Sequence, residues 1–486
     1  MNRQSFPGHL ALALTFIMVA AFAGQMRRVQ HSQQQRLSAC RLTAMKRDAA
    51  HPPAAPRAAR APQSAEVIVR FRAGLSFDTI RALVARLNDR VEDRIEAVSN
   101  QIIVADEDGL SAEAVAAEYG TLAEVEYAEP NFTISLDPSE DLRFDDVLNQ
   151  DHGDLDLLDE GVTPNDPMFG DQWALENRGD RDGKAKADIS AVRAWSKTKG
   201  TRKVVVAVLD SGVDYTHPDL AANIWLRPQS VAAYSDEQLG IIDDVHGFNA
   251  ADDNGDPMDQ NGHGTHCAGI VGAEGGNDIG IAGVNWQVEI MPLKFMSAGG
   301  FGTTKDAIQA INYVIDRKRA GVNVRVISAS WGSRMKSKAL EDVIRKAGDE
   351  GILFVAASGN ASADADRAPH YPSGYNLPNV LSVAALNRRD ELASFSNYGA
   401  KSVHIAAPGA EILSTWLGGE YEEHSGTSMA TPVVSGVAGL VLSGEPKLTV
   451  KQLRERLLQS VDKLDSLSGK VVSGGRINAA RAVGVD

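Results

Sequence analysis

Val204-Val205-Val206-Ala207-Val208-Leu209 is an unbroken apolar run that stops on a carboxylate, in Asp210-Ser211-Gly212-Val213. An unbroken run suits a strand covered on both faces, as in a parallel sheet lying between helices. Val324-Arg325-Val326-Ile327-Ser328, Ile352-Leu353-Phe354-Val355-Ala356 and Val380-Leu381-Ser382-Val383-Ala384 have the same texture. Helical spacing fills two of the intervals, over Thr304–Lys318 and Lys338–Asp349. Apolar strands alternating with helices predict an α/β fold around a parallel sheet from about Asn165 onward. Functional side chains in such sheets gather at the carboxyl ends of strands, where Asp210 stands. A structural turn aspartate explains that position equally well when it is taken alone.

Three further positions change the weighing. His263 lies in Asn261-Gly262-His263-Gly264-Thr265-His266-Cys267, where flanking glycines let the backbone pack closely and aim the ring. Asn360 follows the run Ile352–Ala356, and an amide donor there can complete an oxyanion hole. Ser428 sits in Gly426-Thr427-Ser428-Met429-Ala430-Thr431-Pro432, at the start of a run that reads as a helix to about Ser443. A serine there can cap the helix, or attack a carbonyl whose developing charge the unpaired N–H groups of the first turn would hold. Each residue is a weak signal by itself. The ordered set Asp210, His263, Asn360, Ser428 is a specific one.

On these blocks the chain resembles the subtilisin-like serine peptidases, the subtilase family, over roughly Asn165 to Asp486. The resemblance implies a three-layer α/β fold with a mainly parallel, seven-stranded sheet, and hydrolysis of peptide bonds. A serine hydroxyl needs a base at neutral pH, and histidine's ordinary pKa of about 6.5 suits that task. Asp210 would then hold the His263 tautomer, with Asn360 and the Ser428 N–H as oxyanion donors. His266 reads as structural, and Cys267 as packing beneath His263. Two backbone edges, Gly300-Phe301-Gly302 and Ser330-Trp331-Gly332, are implied to add to an extended peptide as strands. Ser330–Gly332 and Ala356–Ser358 would wall the pocket for the residue before the scissile bond. His370 would lie at its base, and an apolar or aromatic preference is expected.

The resemblance also implies calcium, bound by Asp219, Asn277 and the loop carbonyls of Ile279 and Ile281, with Asp166 as an N-terminal ligand. A second acidic loop with Asp252 and Asp256 has a calcium-like composition, for which a polar surface turn is the competing explanation.

Ahead of this domain, residues 66–135 follow a β-α-β-β-α-β pattern: Glu66–Phe71, a helix over Phe77–Leu87, Ile102–Val104, a helix capped by Ser111, and a last strand broken at Pro130. This small α+β, ferredoxin-like unit resembles the family's inhibitory propeptide, which makes the chain's own propeptide an intramolecular partner. The expected boundaries are a signal peptide over 1–23, a disordered linker over 24–64, the propeptide over 65–136, an acidic linker over 137–164 and the catalytic domain over 165–486. Residues 137–160 hold ten carboxylates against one arginine, which reads as a solvated linker open to cutting, and processing is expected between about Leu136 and Thr163.

Arg3, the uncharged stretch Leu10–Ala23 and the small-x-small site Ala21-Phe22-Ala23 make an export signal. A secreted or periplasmic product is expected, with an uncleaved membrane anchor as the lesser alternative. A formal charge of −15 argues against nucleic acid as a partner, and two cysteines, Cys40 and Cys267, exclude a disulfide framework. The partners expected are polypeptide substrates, and the oligomeric state expected is a monomer. Two other readings stand beside the endopeptidase: a catalytically silent peptide-binding pseudopeptidase and an ester hydrolase.

Overall fold

The computed structural model describes residues 65–137 and 161–485. The expected signal peptide, the expected first linker and most of the expected acidic linker lie outside the described residues.

The propeptide unit runs β1 (Glu66–Phe71), α1 (Phe77–Arg86), β2 (Arg90–Arg94), β3 (Gln101–Ala105), α2 (Ala112–Gly120), β4 (Val125–Pro130) and β5 (Thr133–Ser135). Ser76 and Ser111 cap the two helices by accepting the backbone N–H of Thr79 and Ala114. The first four strands form an antiparallel sheet in the order β2-β3-β1-β4. The break at Pro130 has a clear consequence, because β5 leaves this sheet and pairs elsewhere.

In the catalytic domain the labels continue with β6 (Gly200–Asp210), α3 (His263–Gly272), β7 (Gln287–Lys294), β8 (Phe301–Thr303), α4 (Thr304–Arg319), β9 (Val324–Ala329), α5 (Lys338–Asp349), β10 (Leu353–Ala357), β11 (Val380–Leu386), β12 (Ile405–Pro408) and α6 (Thr427–Gly444). The described residues form a nine-stranded sheet in the order Val461–Lys463, Gly475–Ile477, β12, β11, β10, β9, β6, β7, Phe248–Asn249. Every neighbouring pair is parallel except the first, which is antiparallel. The sheet has two strands more than the resemblance implies. Its margins are strands of two or three residues, too short to show any periodicity in sequence.

The apolar run that ends at Asp210 divides as a two-faced strand must. Val204, Val206 and Val208 belong to one apolar cluster with α3 and α6, and Val205, Ala207 and Leu209 to a second with α4 and α5. Each fully buried aliphatic side chain contributes about 1.5–3 kcal/mol, so this strand alone ties the three layers together firmly. Helix α6 is apolar and long enough to cross a membrane, yet it is the buried central helix of this core.

The propeptide sheet rests on α4 and α5. Ile68, Ile95 and Ile103 enter the same apolar cluster as Ile308 and Ile311 of α4. Polar side chains fix the docking. Gln309 donates to Asp93 at 2.6 Å, Asn312 accepts the Ala97 N–H at 2.9 Å, and Tyr127 donates to Asp342 at 3.0 Å. Glu129 accepts the Ser337 hydroxyl and the N–H groups of Lys338 and Ala339, so a propeptide carboxylate completes the N-terminus of α5.

Candidate active site

Asp210 ends β6 and is fully buried, and His263 opens α3. Imidazole Nδ1 and carboxylate Oδ1 are 2.8 Å apart. Oδ1 also accepts the Ser211 N–H, and the Ser211 hydroxyl in turn accepts the Gly264 N–H at 3.0 Å, which ties the start of α3 to the end of β6. Gly264 is required by this contact, since a Cβ there would lie 2.0 Å from the Gly212 carbonyl oxygen. Burial opposes a charge on His263. The Asp210 carboxylate, the Cys267 sulfur and the Asp210 hydrogen bond outweigh it and hold the ring well above the ordinary histidine value. His266 goes the other way: burial and the neighbouring His424 push it well below that value, and its Nε2 meets the Glu422 carbonyl at 3.0 Å. It is a structural, neutral ring. Cys267 is fully buried beneath His263, 4.0 Å from Nδ1, and burial pushes its thiol up.

Ser428 occupies the first turn of α6, where backbone N–H groups have no acceptor within the helix. Its hydroxyl donates to the Ser330 carbonyl at 3.0 Å, and among the described residues no hydrogen bond joins it to His263. Asn360 lies three residues past β10 and beside this turn. Its Oδ1 accepts both the N–H and the hydroxyl of Thr427, each at 2.9 Å. The Thr427 hydroxyl is itself oriented by the Gly359 N–H. This fixes the amide so that its NH₂ is the donor end. Thr427 escapes the sequence reading; its place directly before Ser428 in the motif is the available signal.

Strand β5 lies in the cleft as an added strand. Thr133, Ile134 and Ser135 pair antiparallel with Thr303, Gly302 and Phe301, Ser135 bridges to Gly332, and the Leu136 N–H donates to the Gly300 carbonyl at 3.0 Å. Both edges expected to hold substrate therefore hold the propeptide tail.

The chain matches the subtilase family model over residues 201–476 and a fervidolysin N-terminal prodomain model over residues 52–131. It is 32% identical to the thermophilic serine proteinase of Bacillus sp. (strain AK1) over 86% of this chain and 87% of that one. It is 35% identical to thermitase of Thermoactinomyces vulgaris, over 66% of this chain and 99% of that protein.

The chain belongs to the subtilase family.

Among solved structures, fervidolysin from Fervidobacterium pennivorans, described as a keratinolytic enzyme related to subtilisin, shares the fold. Its TM-score is 0.65 at 22% identity, covering 87% of this chain and 62% of that one. The protein is thus a subtilisin-like serine endopeptidase with a prodomain.

Other expected site residues of this subtilase lie at the second edge and in two acidic regions. Trp331 lends only its backbone to the edge. Its indole is fully buried, donates to the Leu209 carbonyl at 2.8 Å and packs on Phe295. Asp252 and Asp256 belong to a turn bonded to itself and its neighbours: Asp252 accepts from Asn249 at 3.1 Å, and Asp256 from Tyr215 at 2.9 Å and the Met258 N–H. The buried ammonium of Lys294 lies in the field of both, and its pKa falls because burial outweighs their attraction.

The other proposed metal residues do converge. The Gly276 N–H donates to Asp166 at 2.7 Å. Asp219 accepts Asn277 Nδ2 at 2.8 Å and the Ile281 N–H at 3.0 Å, and Asn277 Oδ1 accepts the Ile279 N–H at 2.8 Å. Burial first, and the charge of Asp166 after it, push Asp219 up to about 6. Two buried carboxylates that repel each other, joined through Asn277, are oxygen donors of the kind a hard divalent cation takes.

Proposed function

We propose that this subtilase is a secreted, monomeric zymogen. In this reading it cuts its own propeptide free and then hydrolyses polypeptides through Asp210, His263 and Ser428. The observation that carries the reading is the 2.8 Å pair Asp210–His263 at one side of a cleft whose two edges already grip an extended peptide. Turning the Ser428 hydroxyl from the Ser330 carbonyl to the imidazole Nε2 arms the nucleophile. The imidazole takes the proton as Oγ attacks and returns it to the leaving amine. The Asn360 NH₂ and the Ser428 N–H receive the oxyanion. The main-chain pairing along Gly300–Gly302 and Gly332 favours peptides over small esters, and the complete residue set argues against a silent pseudopeptidase.

Calcium would be held by Asp166, Asp219, Asn277 and the carbonyls of Ile279 and Ile281. It would neutralise the buried carboxylate pair and pin the loop after α3.

The test is expression of the full chain beside Ser428→Ala, with the N-terminus of each product located by mass spectrometry. Conversion in wild type alone, labelling of Ser428 by a serine-directed phosphonate and hydrolysis of casein are expected. Equal conversion in both chains would refute the assignment.

A further inference from the structure

The tail in the cleft ends on a side chain that the pocket recognises. Asp137 follows Leu136, and its two carboxylate oxygens lie 3.2 and 3.4 Å from His370 Nε2. The strand register defines which position this is. Ser135 is bridged to Gly332 and Leu136 is bonded to Gly300, so Asp137 is the next residue along the direction of the bound peptide. Asp137, His370, Gly332, Arg334 and the oxyanion donor Asn360 all line one cavity of about 380 Å³. The residue that reaches His370 thus shares one cavity with Asn360, where the residue before the scissile bond would sit.

The imidazole is a built feature of this pocket. Its side chain is only 8% exposed. The neighbouring Tyr371 is clamped to Ser333 by two backbone hydrogen bonds of 2.7 and 2.8 Å, which hold the His370 segment against the substrate edge. Gly332 leaves the ring its space, because a Cβ there would lie 2.0 Å from His370 Cε1. Main-chain pairing binds any extended peptide, so selection depends on the pockets. A leucine or phenylalanine here would bury Nε2 without a partner, whereas a carboxylate supplies one. Leaving one such buried donor unpaired weakens binding about tenfold to a hundredfold.

We propose that His370 makes this protease selective for aspartate or glutamate immediately before the scissile bond. The pocket is polar, against the apolar or aromatic preference expected from sequence. The proposal rests on the catalytic reading above and adds the substrate class. It also gives the acidic linker a purpose: its run of carboxylates between Glu140 and Glu160 supplies acceptable cut sites.

The experiment uses processed protease obtained from the full chain, as wild type, His370→Leu and His370→Gln. Each is assayed on one peptide series that varies only the residue before the scissile bond, through Asp, Glu, Asn, Gln, Leu and Phe. Wild type should show kcat/KM at least tenfold higher for Asp and Glu than for Asn, Gln, Leu and Phe. His370→Leu should lose that advantage, with cleavage after Leu and Phe overtaking cleavage after the acids. His370→Gln keeps a polar group in the pocket and should fall between the two. If His370→Leu fails to fold, wild type and His370→Gln still decide the question. Hydrolysis by wild type without acid preference, or acid preference kept in the variants, would overturn the pocket assignment alone. No hydrolysis of any peptide, with Ser428 unlabelled by phosphonate, would sink the catalytic reading and the pocket with it.

Discussion

Replacing Asp93 by asparagine should make the docked propeptide more stable at alkaline pH. Asp93 is a propeptide residue of β2, 3% exposed and sealed against α4. Burial first, and the charge of Asp236 after it, raise its carboxyl from 3.8 to about 7, against the opposing hydrogen bonds from Gln309 and the Arg94 N–H. An acid whose folded pKa is raised binds more protons when docked than when released. Docking is therefore strongest below about pH 4 and weakens as pH rises toward 7. A rise of that size corresponds to about 4 kcal/mol, of which roughly 2.5–3 kcal/mol falls between about pH 5 and pH 8.

Asparagine fits the site for a specific reason. Gln309 donates its NH₂ to Asp93, while among the described residues its buried Oε1 has no hydrogen-bond partner. Turning that amide offers Oε1 to the NH₂ of the introduced asparagine. Glu96 and Glu129 stand in the same interface, and burial raises both, so they add to the trend in the same direction. The assay is urea unfolding of the full chain carrying Ser428→Ala, with and without Asp93→Asn, at about pH 5 and pH 8. The first transition should move to higher urea in the asparagine chain, by clearly more at the alkaline pH. Equal shifts at both pH values, or destabilisation at the alkaline one, would refute the reasoning.

Asn360→Ala should lower kcat by about 10²–10³ with little change in KM, a magnitude taken from removal of the oxyanion donor in another member of this family; steady-state kinetics on one peptide checks it. Because His263 is held well above 6.5 with the tail in place, the imidazolium cannot accept the Ser428 proton, so conversion of the full chain should accelerate as pH rises above 6.5, which gel time courses will measure. If calcium is held at Asp166 and Asp219 at about a hundred times its Kd, its removal costs about 2.7 kcal/mol. Chelator should then lower the melting temperature by roughly 3–5 °C in calorimetry, the shift expected for a domain of this size.

What can be read from sequence follows from what each element buries. β6 and β9–β11 are visible because a strand covered on both faces has no room for polar alternation, and their ends fall close to those of the apolar runs. α5 is legible to its last residue, since one face packs in the core and the other is charged. β2, Arg-Val-Glu-Asp-Arg, shows no strand pattern, because the side it turns to the catalytic domain is satisfied by polar partners such as Gln309. Trp331 reads as backbone edge while its buried indole stays hidden, because a motif reveals the path of the backbone and not the direction of the side chain. The cavity that holds Asp137 is hidden for a similar reason, since His370, Gly332 and Arg334 come to it from two separate segments.

The helix that carries Ser428 gains its precision from a break in its own ladder. Pro432 lies one turn beyond Ser428 and has no N–H to give the Ser428 carbonyl. A buried carbonyl must find donors elsewhere. It finds the Ser330 hydroxyl at 2.8 Å and the Cys267 thiol at 3.6 Å. These are the same two residues that bracket the chemistry, since the Ser330 carbonyl holds the Ser428 hydroxyl and Cys267 lies under His263. The missing helical bond thus becomes a cross-tie among α6, the substrate edge after β9, and α3. The backbone of Ser428 is positioned by the edge that grips the propeptide tail and by the helix that carries His263. A peptide seated on that edge is therefore in register with Ser428 through a single serine, Ser330.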